Sequence, residues 1–256
     1  MKFQKIVTFI SCDRYRKKPV MKYLFICLFI IFSSQIFAQE TVINDKNAEV
    51  RDVASFTGIK VSGGIDIYLS QSNDYSLAVS ASDEKYTNDI KTEVKNGILH
   101  ISYEGGFMHN AGNKKLRAYI SFKNLESLEG SGASDFYING SFSLNNLLVK
   151  LFGASDIKGN VMITNLSLDL SGASTVKING AVQNLRLTAS GASDIKNYDL
   201  KVENCVAKIS GASDVRITVT NSIQASASGA STLFYHGDPA KRDVASSGAS
   251  SISQKD

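Results

Sequence analysis

The chain has 256 residues, with 28 Lys and Arg against 24 Asp and Glu for a formal net charge of +4, and three cysteines. Seven of the basic residues (Lys2, Lys5, Arg14, Arg16, Lys17, Lys18 and Lys22) but only one acidic residue, Asp13, fall within the first 38 positions. The remainder therefore carries 21 basic against 23 acidic groups, about −2 overall, which removes the electrostatic case for a nucleic-acid partner.

The first 38 residues read as a leader. Met21-Lys22 precedes an apolar run from Tyr23 to Phe32, and the segment ends in Ile36-Phe37-Ala38. A charged start, an apolar centre and a small residue at the cut predict a secretory signal peptide cleaved after Ala38, with the true start at Met1 or at Met21. The run is half the roughly 20 apolar residues that a spanning helix needs, so no integral span is expected after cleavage. Export to the periplasm, the outer surface or the medium follows. Cys12 and Cys27 leave with the leader, and Cys205 alone cannot form an intrachain disulfide.

Residues 39–123 show short alternating strands without a fixed repeat. Ile65, Ile67 and Leu69 alternate with Asp66 and Tyr68, Leu99, Ile101 and Tyr103 with His100 and Ser102, and Leu116, Ala118, Ile120 and Phe122 with Arg117, Tyr119 and Ser121. This part is expected to form irregular first rungs or a β cap, continuous with the regular part of the chain. A loop from Gly105 to Asn113 offers Phe107 and Met108 to solvent.

From residue 124 to 256 the sequence repeats. Gly-Ala-Ser recurs at Gly132, Gly153, Gly172, Gly191, Gly211, Gly229 and Gly248, at intervals of 18–21 residues. Counted from each glycine, the fifth position is always apolar: Phe136, Ile157, Val176, Ile195, Val215, Leu233 and Ile252. A second apolar set precedes the next glycine, as in Leu166, Leu168 and Leu170. Alternation of this kind with no period of 3.6 predicts strands, and a fixed period near twenty predicts stacked rungs.

The fold expected is all-β: a parallel β-helix of about seven regular rungs of 18–21 residues, each of two strands and two turns. The preference of parallel crossovers favours the right hand, with a left-handed coil left open. The glycines are assigned to turns. Gly admits positive φ, Ala suits the inside of a tight corner, and Ser can bond nearby backbone or the next rung's Ser. Asn146, Asn165, Asn184 and Asn204 are expected to stack on the opposite corner.

Two outward rows flank the apolar position. One holds Asp135, Asp156, Thr175, Asp194, Asp214, Thr232 and Ser251, the other Tyr137, Lys158, Lys177, Lys196, Arg216, Phe234 and Ser253. A single Asp per rung, replaced twice by Thr, does not fit the nine-residue calcium-roll repeat. The rows are read as mutual charge compensation between rungs. Candidate surface-binding residues are Asp156, Lys158, Asp194, Lys196, Asp214 and Arg216, with Phe107 and His236. Cys205 stands in an apolar row and reads as a buried inert thiol, and no two of His100, His109 and His236 have metal-ligand spacing. The irregular stretch from Tyr235 to Asp243 reads as a terminal cap. No catalytic residue, cofactor or metal site is assigned.

The Gly-Ala-Ser-Asp turns, the Asn-Leu strands and the segment Phe56-Thr57-Gly58-Ile59-Lys60-Val61-Ser62-Gly63-Gly64-Ile65-Asp66-Ile67 together resemble the head GIN domain family of proposed autotransporter adhesins, from about residue 50 to the end. The resemblance implies an exported β-helix of pectin-lyase-like shape, without recognised catalytic residues, with a proposed role in adhesion at a Gram-negative envelope. The reading is a noncatalytic exported solenoid that binds an unknown surface protein or glycan. A polysaccharide lyase or hydrolase is the alternative, and a purely structural envelope protein is the third.

Overall fold

Period-two alternation commits most segments to strand. In the computed structural model, which describes residues 45–105 and 114–255, strand accounts for 66% of the described residues and helix for 2%. The expected signal peptide and Phe107 lie outside the described residues. The first part of the chain contributes β1 (Glu49–Arg51), β2 (Gly58–Ser62), β3 (Asp66–Gln71), β4 (Ser76–Ser80), helix α1 (Glu84–Asn88), β5 (Ile90–Lys95), β6 (Ile98–Tyr103), β7 (Arg117–Phe122) and β8 (Ser127–Gly130). The repeats contribute β9 (Asp135–Leu151), β10 (Asp156–Leu170), β11 (Thr175–Ala189), β12 (Asp194–Ile209), β13 (Asp214–Ala227), β14 (Thr232–His236), β15 (Lys241–Ser246) and β16 (Ser251–Gln254).

Strands β9 to β13 pair in parallel, each with the next, and equivalent repeat positions meet: Ile157 opposite Val176, Leu166 opposite Leu185. The chain thus returns to the same place one rung on, a β-solenoid of about seven turns. The core is the stack of inward rows, with Phe56, Phe122, Phe136 and Phe142 among its largest fully buried side chains.

The rung differs from the expected pair of short strands. In β10 the buried residues are Ile157, then Val161 and Ile163, then Leu166, Leu168 and Leu170, and alternation breaks at Lys158–Asn160 and at Thr164-Asn165. Each rung therefore has three faces, not two, traced by one strand that bends twice. The first bend uses glycine at positive φ, as at Gly140, Gly159 and Gly180. The second runs through the asparagine row, whose amides bond along the axis: Asn165 Nδ2 donates to Asn146 Oδ1 at 2.8 Å, Asn184 to Asn165 at 2.9 Å and Asn204 to Asn184 at 3.1 Å. The register shifts at the first bend in three of the four parallel pairs, and pairing resumes beyond both bends, so the strand is not ended by a separate turn.

Only the Gly-Ala corner interrupts the strand, and alanine does not take the inside position expected of it. Alanine faces solvent, and Ser134, Ser155, Ser174, Ser193, Ser213 and Ser231 are buried. Serine sits two residues before the inward Phe136 or Ile157, so period two turns it to the core. A buried hydroxyl needs a partner. Each donates to the carbonyl three residues earlier, at 2.8–3.2 Å, and not to the next rung's serine. The seven glycines have φ between +71° and +83°.

Before the repeats, β3 pairs in parallel with β7 and β9, and β2 with β6 and β8, so the stacking begins here. Antiparallel strands β1, β4 and β5 finish that end. At the other end the expected cap is absent among the described residues: β14 and β15 stack on β13, and β16 on β14, as a further rung. Every residue of β15 is exposed, Val244 included, because the described strands place nothing above it.

Candidate functional site

The first face of the solenoid is one sheet, with strands in the order β7, β3, β9 and onward to β14 and β16. Strict register turns repeat positions into files along the axis, spaced by the strand separation of about 4.8 Å. One file runs Arg117, Asp66, Asp135, Asp156, Thr175, Asp194 and Asp214. Beside it run Tyr119, Tyr68, Tyr137, Lys158, Lys177, Lys196, Arg216 and Phe234.

The three tyrosines form a stack. Tyr68 lies 5.1 Å from Tyr119 and 5.0 Å from Tyr137 between ring centres, with planes 20° and 16° apart. Lys158 continues the file, its ammonium 5.4 Å from the centre of the Tyr137 ring. The hydroxyls are tied down: Tyr119 donates to Asp45 at 2.9 Å and Tyr137 to Asp135 at 3.2 Å, and Arg117 reaches Asp45 at 3.2 Å. Burial, reinforced by these carboxylates, raises both tyrosines to a pKa of about 12. Burial also raises the pKa of Asp66, with the charge of Asp135 adding to it and Arg117 and Lys158 acting the other way.

The charged pairs close within a rung, not between rungs as the sequence suggested. Lys158 meets Asp156 at 3.5 Å, Lys196 meets Asp194 at 2.7 Å and Arg216 meets Asp214 at 3.0 Å. Residues two apart on one strand share a face, and these side chains reach each other along it. Where Thr175 replaces Asp, Lys177 forms no ion pair among the described residues.

The remaining candidates are scattered. His236, at the end of β14, stacks on Tyr198 with ring centres 3.7 Å apart and planes 4° apart. Cys205 is buried, and burial alone pushes its thiol to about 12, a poor nucleophile. Among the described residues no three of His, Cys, Asp and Glu gather as a metal would require, and no helix is long and apolar enough to cross a membrane.

Two features escaped sequence reasoning. The tyrosine stack was legible in principle, since Asp66-Ile67-Tyr68, Arg117-Ala118-Tyr119 and Asp135-Phe136-Tyr137 match Asp156-Ile157-Lys158 in pattern. The open groove of the second face, lined by Gln71, Met162, Gln183, Lys201 and Glu203, had no such signal. At one end of it the Gln71 amide pairs with the backbone of Ser143 as a strand would: its nitrogen donates to Ser143 O at 3.0 Å and its oxygen accepts from Ser143 N at 2.7 Å.

Several solved structures share this fold. A protein titled a "putative adhesin" from Bacteroides fragilis is 24% identical, with a TM-score of 0.74 over 82% of this chain and 98% of that one. A "putative lipid binding protein" from Parabacteroides distasonis is 22% identical, with a TM-score of 0.62 over 83% and 98%. A "putative adhesin" from Parabacteroides merdae is 19% identical, with a TM-score of 0.55 over 82% and 95%. No curated protein sequence matches the chain. The family described as "Putative auto-transporter adhesin, head GIN domain" matches residues 55–239, most of the solenoid, and the chain belongs to that family.

Proposed function

We propose that the protein is a noncatalytic, exported β-solenoid that binds a surface glycan or protein along its first face, using Asp156, Lys158, Asp194, Lys196, Asp214 and Arg216. The observation that carries this reading is the pair of parallel files on an open sheet. An enzyme gathers its reactive groups at one or two rungs, around a pocket that excludes water. Here like groups recur rung after rung, which suits a partner that is itself extended.

Charge supports contact by hydrogen bonding over bulk attraction. The face sets Arg117, Lys158, Lys177, Lys196 and Arg216 against Asp66, Asp135, Asp156, Asp194 and Asp214, five of each sign. A lipid partner is less suited, because the exposed large apolar residues Val50, Leu148, Met162 and Val244 lie on separate strands. Membership of an adhesin-like family fits export, and the leader expected at residues 1–38 supplies the route.

The test is retention of the purified full chain on arrays of glycans and on cell surfaces, paired with Lys177→Glu and Asp194→Lys. Binding that falls at least tenfold in these variants, with the melting temperature kept, is the expected result. Turnover of a bound polysaccharide would establish the lyase or hydrolase reading instead. Failure to retain any surface would leave a structural envelope role.

A further inference from the structure

The two ends of the solenoid are finished differently. At the amino-terminal end the outermost strands are β1 on the first face and β5 on the third, both antiparallel to their neighbours. Strand β1 has three residues, with Glu49 and Arg51 around Val50, and β5 carries Lys91, Glu93 and Lys95. Short length and charge are the devices that keep a sheet edge from pairing with another chain.

At the carboxyl-terminal end the third-face edge strand β15 carries Lys241, Arg242 and Asp243, whereas the first-face edge strand, β16, is short but uncharged. Strand β16 is bonded on one side only, to β14, and Ser251-Ile252-Ser253-Gln254 bears no charge. The charged side chains nearby are drawn into contacts of their own chain. Arg242 donates to Gln254 Oε1 at 2.9 Å and pairs with Asp238, and Lys255 lies over Phe234 at 4.5 Å. Ser251 N bonds Ser231 O at 3.0 Å and Lys255 N bonds Tyr235 O at 2.9 Å. Strand alternation then turns the N–H and C=O of Ile252 and Gln254 outward, away from β14.

We propose that this edge is a homodimer interface, in which β16 pairs antiparallel with β16 of a second copy about a two-fold axis at Ser253. Ile252 of each copy stands opposite Gln254 of the other, and these two hydrogen-bonded pairs satisfy all the outward groups. The two Ser253 residues face each other on the axis as a non-hydrogen-bonded pair. No like charges meet, because the paired segment has none. A two-fold contact also closes on itself. Head-to-tail stacking would instead need the charged amino-terminal edge as partner and would propagate as a filament. The dimer joins two first faces end to end, giving one particle with two copies of the binding surface, so attachment to a polymer gains from effective concentration.

Cysteine cross-linking of the full chain reads the register directly. In the proposed pairing the Cα atoms of the two residues at 253 lie about 4.5 Å apart, inside the range that a disulfide spans. The two residues at 251 lie on the order of 14 Å apart, beyond any bridge. Under mild oxidation Ser253→Cys is expected to give a covalent dimer and Ser251→Cys, with the same background cysteines, is not. Wild-type protein is expected to sediment as a dimer, and Gln254→Pro, which removes an outward N–H, to weaken the dimer at least tenfold while leaving strand content unchanged. A wild-type chain that stays monomeric at all concentrations overturns the proposal. So does a chain that grows into filaments, or equal cross-linking at 251 and 253.

Discussion

Adding a single methyl group at Gly172 separates two roles that the corner glycines combine. Its φ is +83°, which a residue with a Cβ adopts at a cost of about 1–2 kcal/mol. A Cβ there would also lie 2.4 Å from Gly153 O, 2.9 Å from Gly153 N and 3.0 Å from Gly153 Cα. That carbonyl cannot swing aside freely, because it accepts the Ala173 N–H at 2.7 Å, and the same bond joins Ala192 to Gly172 one rung on. Relieving the contact strains both bonds, each worth about 1 kcal/mol net, so Gly172→Ala should cost roughly 3–4 kcal/mol in all. Gly140 is the control. Its φ is +79°, yet a Cβ would meet nothing within 4 Å, so Gly140→Ala should cost only the conformational 1–2 kcal/mol, roughly. At about 2–4 °C per kcal/mol for a chain of this size, thermal melts followed by circular dichroism should fall by roughly 10 °C for Gly172→Ala and about 4 °C for Gly140→Ala. Equal drops would show that the glycines serve backbone conformation alone and that the rungs do not press together at the corner.

The corner order gives a second test: Ser174→Ala removes a buried donor 3.2 Å from Ser171 O and should destabilise by about 1 kcal/mol in urea titrations, whereas Ala173→Ser, on the solvent side, should stay within about 0.5 kcal/mol. In the asparagine ladder, Asn184→Ala loses one bond to Asn165 and one from Asn204, and Asn146→Ala loses only the bond from Asn165, so the first should cost more in the same titration. At high pH the tyrosine stack should fail: Tyr119 and Tyr137 titrate near 10 when unfolded and at about 12 when folded, so their contribution is whole below pH 10 and is lost as pH rises towards 12. Tyr119→Phe should flatten that alkaline loss of stability, and a profile identical to wild type would place the titration elsewhere.

The solenoid was legible because its signal repeats. Seven apolar residues at the fifth position counted from each glycine leave little choice of secondary structure, and equal spacing leaves little choice of stacking. What alternation could not show was where a strand bends without ending. Thr164-Asn165 breaks the period by two exposed residues in a row, which reads equally well as a turn, and only unbroken pairing with β9 and β11 reveals a bend. Alanine suits the inside of a corner by size, although counting by two from Ile157 already puts Ser155 on the core side; hydrogen bonding to Phe152 O makes that position tolerable. Strand period therefore outweighs residue polarity wherever the backbone can supply a partner. The candidate face follows the same logic in reverse. Its Asp and Lys files were visible as patterns, but their pairing within the rung depends on side-chain reach along the strand, a distance that spacing does not encode. Extending the same register upstream to Tyr68 and Tyr119 turns a charged stripe into one that begins as a stack of rings. The face thus changes character along the axis, from aromatic at β7, β3 and β9 to ionic from β10 to β13, and a partner lying along it must meet both chemistries in a fixed order.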